Sequence, residues 1–367
     1  MTKAAELAKM GEVLTNSQIG GRRNMIINGA MQVAQRGTSS TGLGASDGYF
    51  TVDRFQLNFS STSARFTMTQ DSPTDLSGFT KALKLECTTA DTSLGAGEYL
   101  ILHHKLEGFD VQQLKKGTSD AEKFTISFYV KGVANATYTL EIEDVDNNRY
   151  NSQEFSVTTS WNRVVLTFDG DTTGVLGNDN GNSIRINFWL FVGSNFTSCT
   201  HTDNVLHTTG TQRFGDNQTS LADSTDRTFF LTGLQMEVGE QATPFEHRSF
   251  GEELNLCHRY YQQFAYDTHG FNVANGGANS ASQSTHIYTY YGGEMRAAPS
   301  VSTPSVSNGY RFLGPDQDNS HSTLPNIDNV GKASVQFGNN QNTITKGHPF
   351  RLLLAQSGAM IKFDAEL

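Results

Sequence analysis

The chain has 367 residues, of which 10% are aromatic and 17% charged, with 35 glycines against 7 prolines. This turn-rich, weakly charged composition is typical of an all-β protein, and the length allows two or three domains. The net charge is −10 and the longest basic clusters are the pairs Arg22-Arg23 and Lys115-Lys116, so we expect no nucleic-acid partner.

The cysteines and the apolar runs argue against disulfide-rich, zinc-binding, secreted and membrane-spanning proteins. Cys87, Cys199 and Cys257 are too far apart in sequence to indicate a disulfide framework or a zinc site, and we expect neither a metal nor a cofactor. The N-terminal residues lack the apolar core of a signal peptide, and the run FWLFV at 188–192 is too short to span a bilayer. We therefore expect a protein made in a cytoplasm and not inserted into a membrane.

The first element in chain order is a short helix over residues 3–14, within an N-terminal segment 1–24. Leu7, Met10 and Leu14 form a narrow apolar stripe on it. About twelve residues make a marginal helix in isolation, so this segment should be ordered by a partner or by copies of itself. A frayed terminus is the alternative.

Residues 25–248 alternate apolar and polar positions with a period of two. The clearest strands are FTISFYV, YTLEIEDV, NRVVLTFDG and SIRINFWLFV, which begin at residues 124, 138, 162 and 183. Turn residues separate them, and no helical crossover intervenes. The pattern predicts an antiparallel β-sandwich of the jelly-roll type.

The stretch ATPFEHRSFGEELNLCHRYYQQF breaks this pattern. Ser249 and Glu252 form a capping box that predicts a connecting helix over 249–266. Its apolar row has the spacing of a heptad seam and consists of Phe250, Leu254, Cys257, Tyr261 and Phe264. Either this row packs within its own chain, or three copies meet on it as a trimer interface.

Residues 267–367 return to strand chemistry and predict a second, smaller β domain. Tyr288 and Tyr290 lie on one of its strands and are a candidate platform for a sugar.

Motifs of catalysis and metal binding are weak. Ser46 lies in a G-x-S-x-G match, but that match stands in a loop without the strand and helix of a nucleophile elbow. Asp144, Asp146 and Asn148 begin like a calcium loop, yet Arg149 stands where such a loop needs glycine, so a hairpin turn is the better interpretation. We predict no catalytic residue.

The main binding candidate is the strand over 184–192. Its apolar row should fill the core, so that the opposite face presents Arg185, Asn187, Trp189 and Phe191. An aromatic ring beside hydrogen-bonding groups suits a sugar, whose ring has an apolar face and a hydroxyl rim. The alternative is that a loop, a second sheet or another subunit covers this face. Trp161 is assigned to the core.

Two resemblances add to this interpretation. Residues 103–132 and 152–171 resemble the jelly-roll carbohydrate-binding modules found beside glycoside hydrolases. The blocks RRNMIINGAMQVAQRGTS, YFTVDRFQ, LTGLQMEVGEQATPFEHRSFGEELNLCHRYYQQF and KFDAEL, which begin at residues 22, 49, 231 and 362, resemble tail-fibre receptor-binding proteins of tailed bacteriophages.

The second resemblance implies a homotrimer in the virion tail, assembled in the host cytoplasm. Its N-terminal segment would dock to a tail or other virion protein, and its β domains would bind host surface glycan without catalysis. The alternatives are a depolymerase that cuts polysaccharide and a structural spacer or head decoration that binds no receptor.

Overall fold

The computed structural model describes Lys3 and residues 22–197, 201–210, 213–215, 218–267, 271–280, 283–290, 293–315, 317–339 and 345–367, without the side chains of 278–290, 317 and 339. Nearly all of the regular structure in the described residues is β-strand, so the all-β prediction is confirmed. The chain divides into a first unit, residues 1–253 with Leu367, and a second unit, residues 254–366. The stripe Leu7, Met10 and Leu14 lies outside the described residues.

The first unit is an antiparallel sandwich of two sheets. Its strands are β1 (Ser39–Leu43), β2 (Gly48–Tyr49), β3 (Phe55–Ser60), β4 (Arg65–Asp71), β5 (Ala82–Thr89), β6 (Tyr99–Glu107), β7 (Phe124–Lys131), β8 (Ala136–Asp144), β9 (Arg149–Val157), β10 (Asn162–Phe168), β11 (Asn182–Val192), β12 (Leu206–His207) and β13 (Thr228–Val238). The six-stranded sheet has the order β1-β4-β5-β13-β7-β10, and the seven-stranded sheet has the order β12-β9-β8-β11-β6-β3-β2. This arrangement confirms the predicted jelly-roll sandwich.

The alternating pattern explains why the two sheets stack. Ile126 and Phe128 on β7 and Ile186 and Phe188 on β11 are fully buried in one apolar core between the sheets. The four-residue helix α1 (Gly108–Val111) directly follows β6, in the connection to β7. The β8–β9 connection at 145–148 is a hairpin turn, as predicted, with Asp144 paired to Arg149.

Two distant parts of the first unit are held together by side-chain to backbone bonds. The Glu246 carboxylate accepts from the N–H of Asn24 at 2.7 Å, and Glu253 accepts from the N–H of Asn28 at 2.5 Å. The Arg248 guanidinium donates to a carbonyl of the same segment at 2.8 Å. The block that begins at residue 22 is therefore fixed by residues 246–253 of the block that begins at residue 231, and these contacts lie within the first unit.

The connecting helix is shorter than predicted. It runs over Phe250–His258 as α2, and Ser249 caps it as expected, since its N–H donates to Glu252 at 2.9 Å and the Glu252 N–H donates to the Ser249 hydroxyl at 3.3 Å. The strand β14 (Tyr261–Ala265) follows and pairs with the last strand of the chain. The prediction of a helix to residue 266 is wrong because sheet pairing takes over after His258.

The predicted trimer row is therefore not one helical seam. Tyr261 and Phe264 lie on β14, where Tyr261 is buried and Phe264 packs against the core of the second unit. Cys257 is fully buried and Leu254 is half-buried, whereas Phe250 is 57% exposed. Within the row, Phe250 is the side chain that α2 leaves open to solvent.

The second unit is also antiparallel. After β14 its strands are β15 (Phe271–Ser280), β16 (Gln283–Tyr290), β17 (Ser300–Ser302), β18 (Tyr310–Gly314), β19 (Gln317–His321), β20 (Asn326–Asp328), β21 (Ser334–Asn339), β22 (Pro349–Leu354) and β23 (Met360–Asp364). They form a three-stranded sheet, β14-β23-β17, and a seven-stranded sheet, β19-β18-β22-β15-β16-β21-β20. Among the described residues, no helix is long and apolar enough to cross a membrane.

Candidate functional site

The predicted sugar platform on β11 lies on the outer face of the seven-stranded sheet, but it is covered. Trp189 is only 2% exposed, and its ring meets Phe214 at a centroid distance of 3.8 Å. Phe196 packs against the same ring at 6.0 Å. Both phenylalanines belong to the connection between β11 and β13, so the alternative of a covering loop describes this face and the prediction of an open platform is wrong.

Asn187 and Glu141 form the polar centre beneath this cover. Asn187 donates to Glu141 at 2.7 Å and accepts from the ring N–H of His103 at 2.5 Å. Glu141 has no exposed surface, and Arg213 from the covering connection donates two bonds of 2.6 Å to its carboxylate. Burial alone would lower the pKa of Arg213, but the Glu141 carboxylate raises it, so this guanidinium stays charged.

Arg185 and Phe191 depart from the predicted platform in different ways. Arg185 remains partly exposed and approaches Glu143 at 3.5 Å. Phe191 is buried in the core because the pairing of β11 with β6 shifts register between Trp189 and Phe191. A bulge at this point reverses the facing of the next residue, which a strict period of two could not predict.

Tyr288 and Tyr290 lie on β16 of the second unit. Their side chains are outside the described residues, so this second platform stays a prediction.

The two neighbouring acids of β8, Glu141 and Glu143, do not form an open catalytic cleft. Glycoside hydrolysis needs two carboxylates that face a substrate between them. Both oxygens of Glu141 are engaged by Arg213, and Glu143 accepts from Asn187 at 2.9 Å and lies 3.3 Å from the Arg213 guanidinium. These bonds describe a buried ion network.

The outer face of the six-stranded sheet carries a different cluster, which we call the aromatic corner: Trp161, Phe230, Lys84, Lys131 and Asp75. Phe230 on β13 is directly opposite Lys84 on β5 and Lys131 on β7. Its neighbour Phe229 is fully buried, so Phe230 must point outward. Trp161 stands immediately before β10, next to Lys131 at the end of β7.

The rings of the aromatic corner are set at a steep angle. The Trp161 and Phe230 centroids are 6.0 Å apart with an interplanar angle of 71°. Lys131 Nζ lies 5.8 Å from the Phe230 centroid and 6.0 Å from the Trp161 centroid, and Lys84 Nζ lies 5.8 Å from Phe230. Both rings are partly exposed and the lysine ammonium groups lie over them, so the corner combines apolar ring surface with charged groups.

The charges of the aromatic corner are paired at its rim. Asp75 accepts from Trp161 Nε1 at 2.9 Å and from Lys131 Nζ at 2.5 Å, and the bond from Lys131, followed by that from Trp161, lowers the pKa of this carboxyl. Lys84 is bonded to Glu86 at 2.7 Å. A ligand at this corner would meet fixed donors and acceptors with little net charge.

The assignment of Trp161 to the core is wrong, since the residue is partly exposed and lies outside the core cluster. The signal that could have found the corner is the pair Phe229-Phe230, because two adjacent aromatics on a strand cannot face the same side.

Comparisons with known proteins give only a distant similarity. No family model and no curated protein matches the chain. Solved structures that are similar to this chain include the following three, which cover 56–59% of it.

TmCBM61, solved with beta-1,4-galactotriose, is 10% identical, with a TM-score of 0.30 over 59% of this chain and 100% of that one. The family 11 carbohydrate-binding module of a Clostridium thermocellum cellulosomal cellulase is 11% identical, with a TM-score of 0.28 over 56% and 98%. The N-terminal cellulose-binding domain of Cellulomonas fimi beta-1,4-glucanase C is 11% identical, with a TM-score of 0.24 over 57% and 100%. Similarities at this level carry no argument about activity, and the tail-fibre resemblance stays a prediction.

Proposed function

We propose that this chain is a non-catalytic glycan-binding protein and that the aromatic corner of the first unit is its binding site. The observation that carries the proposal is the partly exposed pair of rings, Trp161 and Phe230, beside paired charges. An aromatic face stacks on the apolar face of a sugar ring, while carboxylate and ammonium groups bond its hydroxyl rim. The corner supplies both kinds of group within about 6 Å.

The test removes the larger ring. We expect Trp161→Ala to weaken glycan binding by about 2 kcal/mol, roughly thirtyfold in Kd, as is common when a central tryptophan is truncated. Phe109→Ala is the matched control, because Phe109 is 55% exposed and lies on α1, outside the corner. The measurement is titration calorimetry with oligosaccharides selected by array binding. Unchanged affinity in Trp161→Ala would remove the corner as the site.

We further propose that the chain acts as a homotrimeric tail fibre of a tailed bacteriophage and attaches the virion to host surface glycan. The support is the resemblance of the four sequence blocks. Three linked copies of a weak site raise apparent affinity by about 10²–10⁴ when they engage together. The N-terminal segment with Leu7, Met10 and Leu14 would dock to a virion protein.

The trimer is tested by light scattering. We expect a solution mass near three times 40.2 kDa, and a lower mass for Phe250→Ser, since Phe250 is exposed and its loss should leave the fold intact. A wild-type monomer would remove the avidity argument. Inhibition of phage adsorption by antibodies to the chain would support the tail location, and normal adsorption in their presence would contradict it.

A further inference from the structure

Asp75 joins the aromatic corner from a separate part of the first unit. It belongs to the connection between β4 and β5, at residues 72–81, whereas Lys131 is the last residue of β7 and Trp161 directly precedes β10. Its Oδ1 accepts from Trp161 Nε1 at 2.9 Å, and its Oδ2 accepts from Lys131 Nζ at 2.5 Å. One carboxylate therefore holds both a ring and an ammonium group of the corner.

The carboxylate and the ammonium group keep bonding capacity that is open to solvent. A carboxylate has about four lone-pair sites, and an ammonium group has three donors. The two bonds just described take one site on each Asp75 oxygen and one donor of Lys131. The Asp75 side chain is 52% exposed and that of Lys131 is 26% exposed. A ligand can therefore donate to the carboxylate and accept from the ammonium group while the bonds between them persist.

We infer that the corner binds a neutral sugar through two adjacent hydroxyl groups, one of which donates to Asp75 while the other accepts from Lys131. This assignment rests on the proposed function of the corner. Asp75 Oδ2 and Lys131 Nζ are 2.5 Å apart, so the two groups that bond them must also be neighbours, as hydroxyls on adjacent ring carbons are. Bonds to charged groups are about twice as strong as neutral ones. Trp161 and Phe230 supply the apolar surface for the sugar ring.

The same pair of charges selects against charged sugars. A uronate is attracted by Lys131 but repelled by Asp75, and an amino sugar meets the opposite combination, because the two groups are in contact. Lys84, the other lysine of the corner, is bonded to Glu86 and adds no unpaired positive charge. A charged sugar would therefore lose hydration without gaining a net counter-charge, whereas a neutral sugar bonds to both groups.

A second exposed pair of charges provides a matched control. Lys123 directly precedes β7, at the opposite end of that strand from Lys131, and lies 3.2 Å from Asp169. Its bonds among the described residues go to Asp169 and Glu240, and neither acid bonds an aromatic ring. This pair offers a donor and acceptors without the apolar surface that a sugar ring needs.

The experiment labels the full chain with 5-fluorotryptophan and follows the fluorine NMR signals of its two tryptophans during sugar titrations. Trp161 reports on the corner, and Trp189, which is 2% exposed and lies on the other sheet, is the internal reference. The panel consists of the methyl glycosides of glucose, galactose and mannose, their single-deoxy forms, glucuronate and glucosamine. We expect removal of either of two adjacent hydroxyls to raise Kd at least about tenfold, and removal of any other hydroxyl to raise it less than about threefold.

Substitutions assign each hydroxyl to its partner. Asp75→Ala should reduce the deoxy penalty at one of the two positions to less than about threefold, and Lys131→Met should do so at the other, because the bond that distinguished the deoxy sugar is gone. A substitution that only loosened Trp161 would weaken all sugars equally and leave both penalties unchanged. Asp169→Ala and Lys123→Met are the controls and should alter neither the affinity nor the penalties.

Three results would overturn the assignment of the two hydroxyls. They are penalties at one position or at positions that are not adjacent, penalties that Asp75→Ala and Lys131→Met leave unchanged, and tighter binding of glucuronate or glucosamine than of the neutral sugars. If Trp161→Ala still abolishes binding in any of these cases, the corner stands as the site. If no member of the panel shifts the Trp161 signal, the proposed function fails together with the assignment.

Discussion

Acidification should destabilise the first unit through two buried histidines. His103 and His104 are adjacent on β6, on opposite faces of the sheet, and are 4% and 0% exposed. Burial lowers the pKa of His103 to about 3, against an opposing contribution from its bond to Asn187, and burial, followed by the nearby Arg54 charge, lowers the pKa of His104 well below its ordinary value. Both rings are therefore neutral in the folded chain at any pH near neutrality.

The direction in which stability changes with pH follows from proton linkage. In the unfolded chain both histidines have a pKa near 6.5, so below that pH the unfolded state binds more protons and stability falls as the pH drops. At pH 5 the unfolded state gains about 2 kcal/mol for each histidine, about 4 kcal/mol together, relative to pH 7.5. That is a large part of the 5–15 kcal/mol that stabilises a typical domain.

Urea unfolding followed by tryptophan emission measures this effect, because both tryptophans lie in the first unit. His104→Leu should remove about half of the pH dependence between 7.5 and 5, since neither ring nitrogen of His104 has a hydrogen-bond partner to lose among the residues that the structure describes. His247→Gln is the control, because His247 is exposed. An unfolding free energy that is the same at pH 7.5 and pH 5 would refute the reasoning.

Three further substitutions test single contacts in the first unit. Arg213→Ala leaves the Glu141 carboxylate buried without its charged partner and should cost about 3–5 kcal/mol in urea unfolding, whereas Arg213→Lys should cost less; a loss below about 1 kcal/mol would contradict the buried ion pair. Glu246→Gln weakens the bond from the Asn24 N–H and should lower thermal stability by about 1–2 kcal/mol, and an unchanged melting temperature would show that this link is not stabilising. Gly233→Ala should cost at least about 1 kcal/mol, because the residue has a φ of +63° and an added Cβ would come within 2.8 Å of a neighbouring ring; a neutral effect in calorimetry would contradict that crowding.

Much of the fold was predictable because the strands obey simple periodicity. The alternation on β7 and β11 assigned Phe128 and Phe188 to the interior, and both are fully buried. The capping box gave the start of α2. The end of α2 was not predictable from the spacing of the apolar residues. An apolar residue at position 261 fits both an apolar helix stripe and a buried strand, and the pairing of β14 with β23 decides for the strand.

The candidate site was less predictable. The side of the sheet to which a side chain points follows from its position in its own strand, whereas the segment that buries it can come from a distant part of the chain. The period of two correctly placed Trp189 on the face opposite the core of the sandwich. Phe214, which buries that ring, comes 25 residues later in the chain, and no sequence pattern near Trp189 predicts this contact. The wrong assignment of Trp161 to the core has the same cause, since the sequence near Trp161 does not indicate whether another segment buries a ring at the start of a strand.

The two outer faces differ in how their charges are satisfied, and this difference selects between them. Glu141 is fully buried, so its carboxylate must be paired inside the protein, and Arg213 supplies that pair while covering Trp189. A ligand could reach that ring only if the ion pair were broken. On the other face Asp75 is about half-exposed and its partner Lys131 lies about 6 Å from the two ring centres, so a ligand can bond to both groups without breaking a buried ion pair. Binding at the aromatic corner therefore carries no cost of unpairing a buried charge, and this is why the corner is the better candidate.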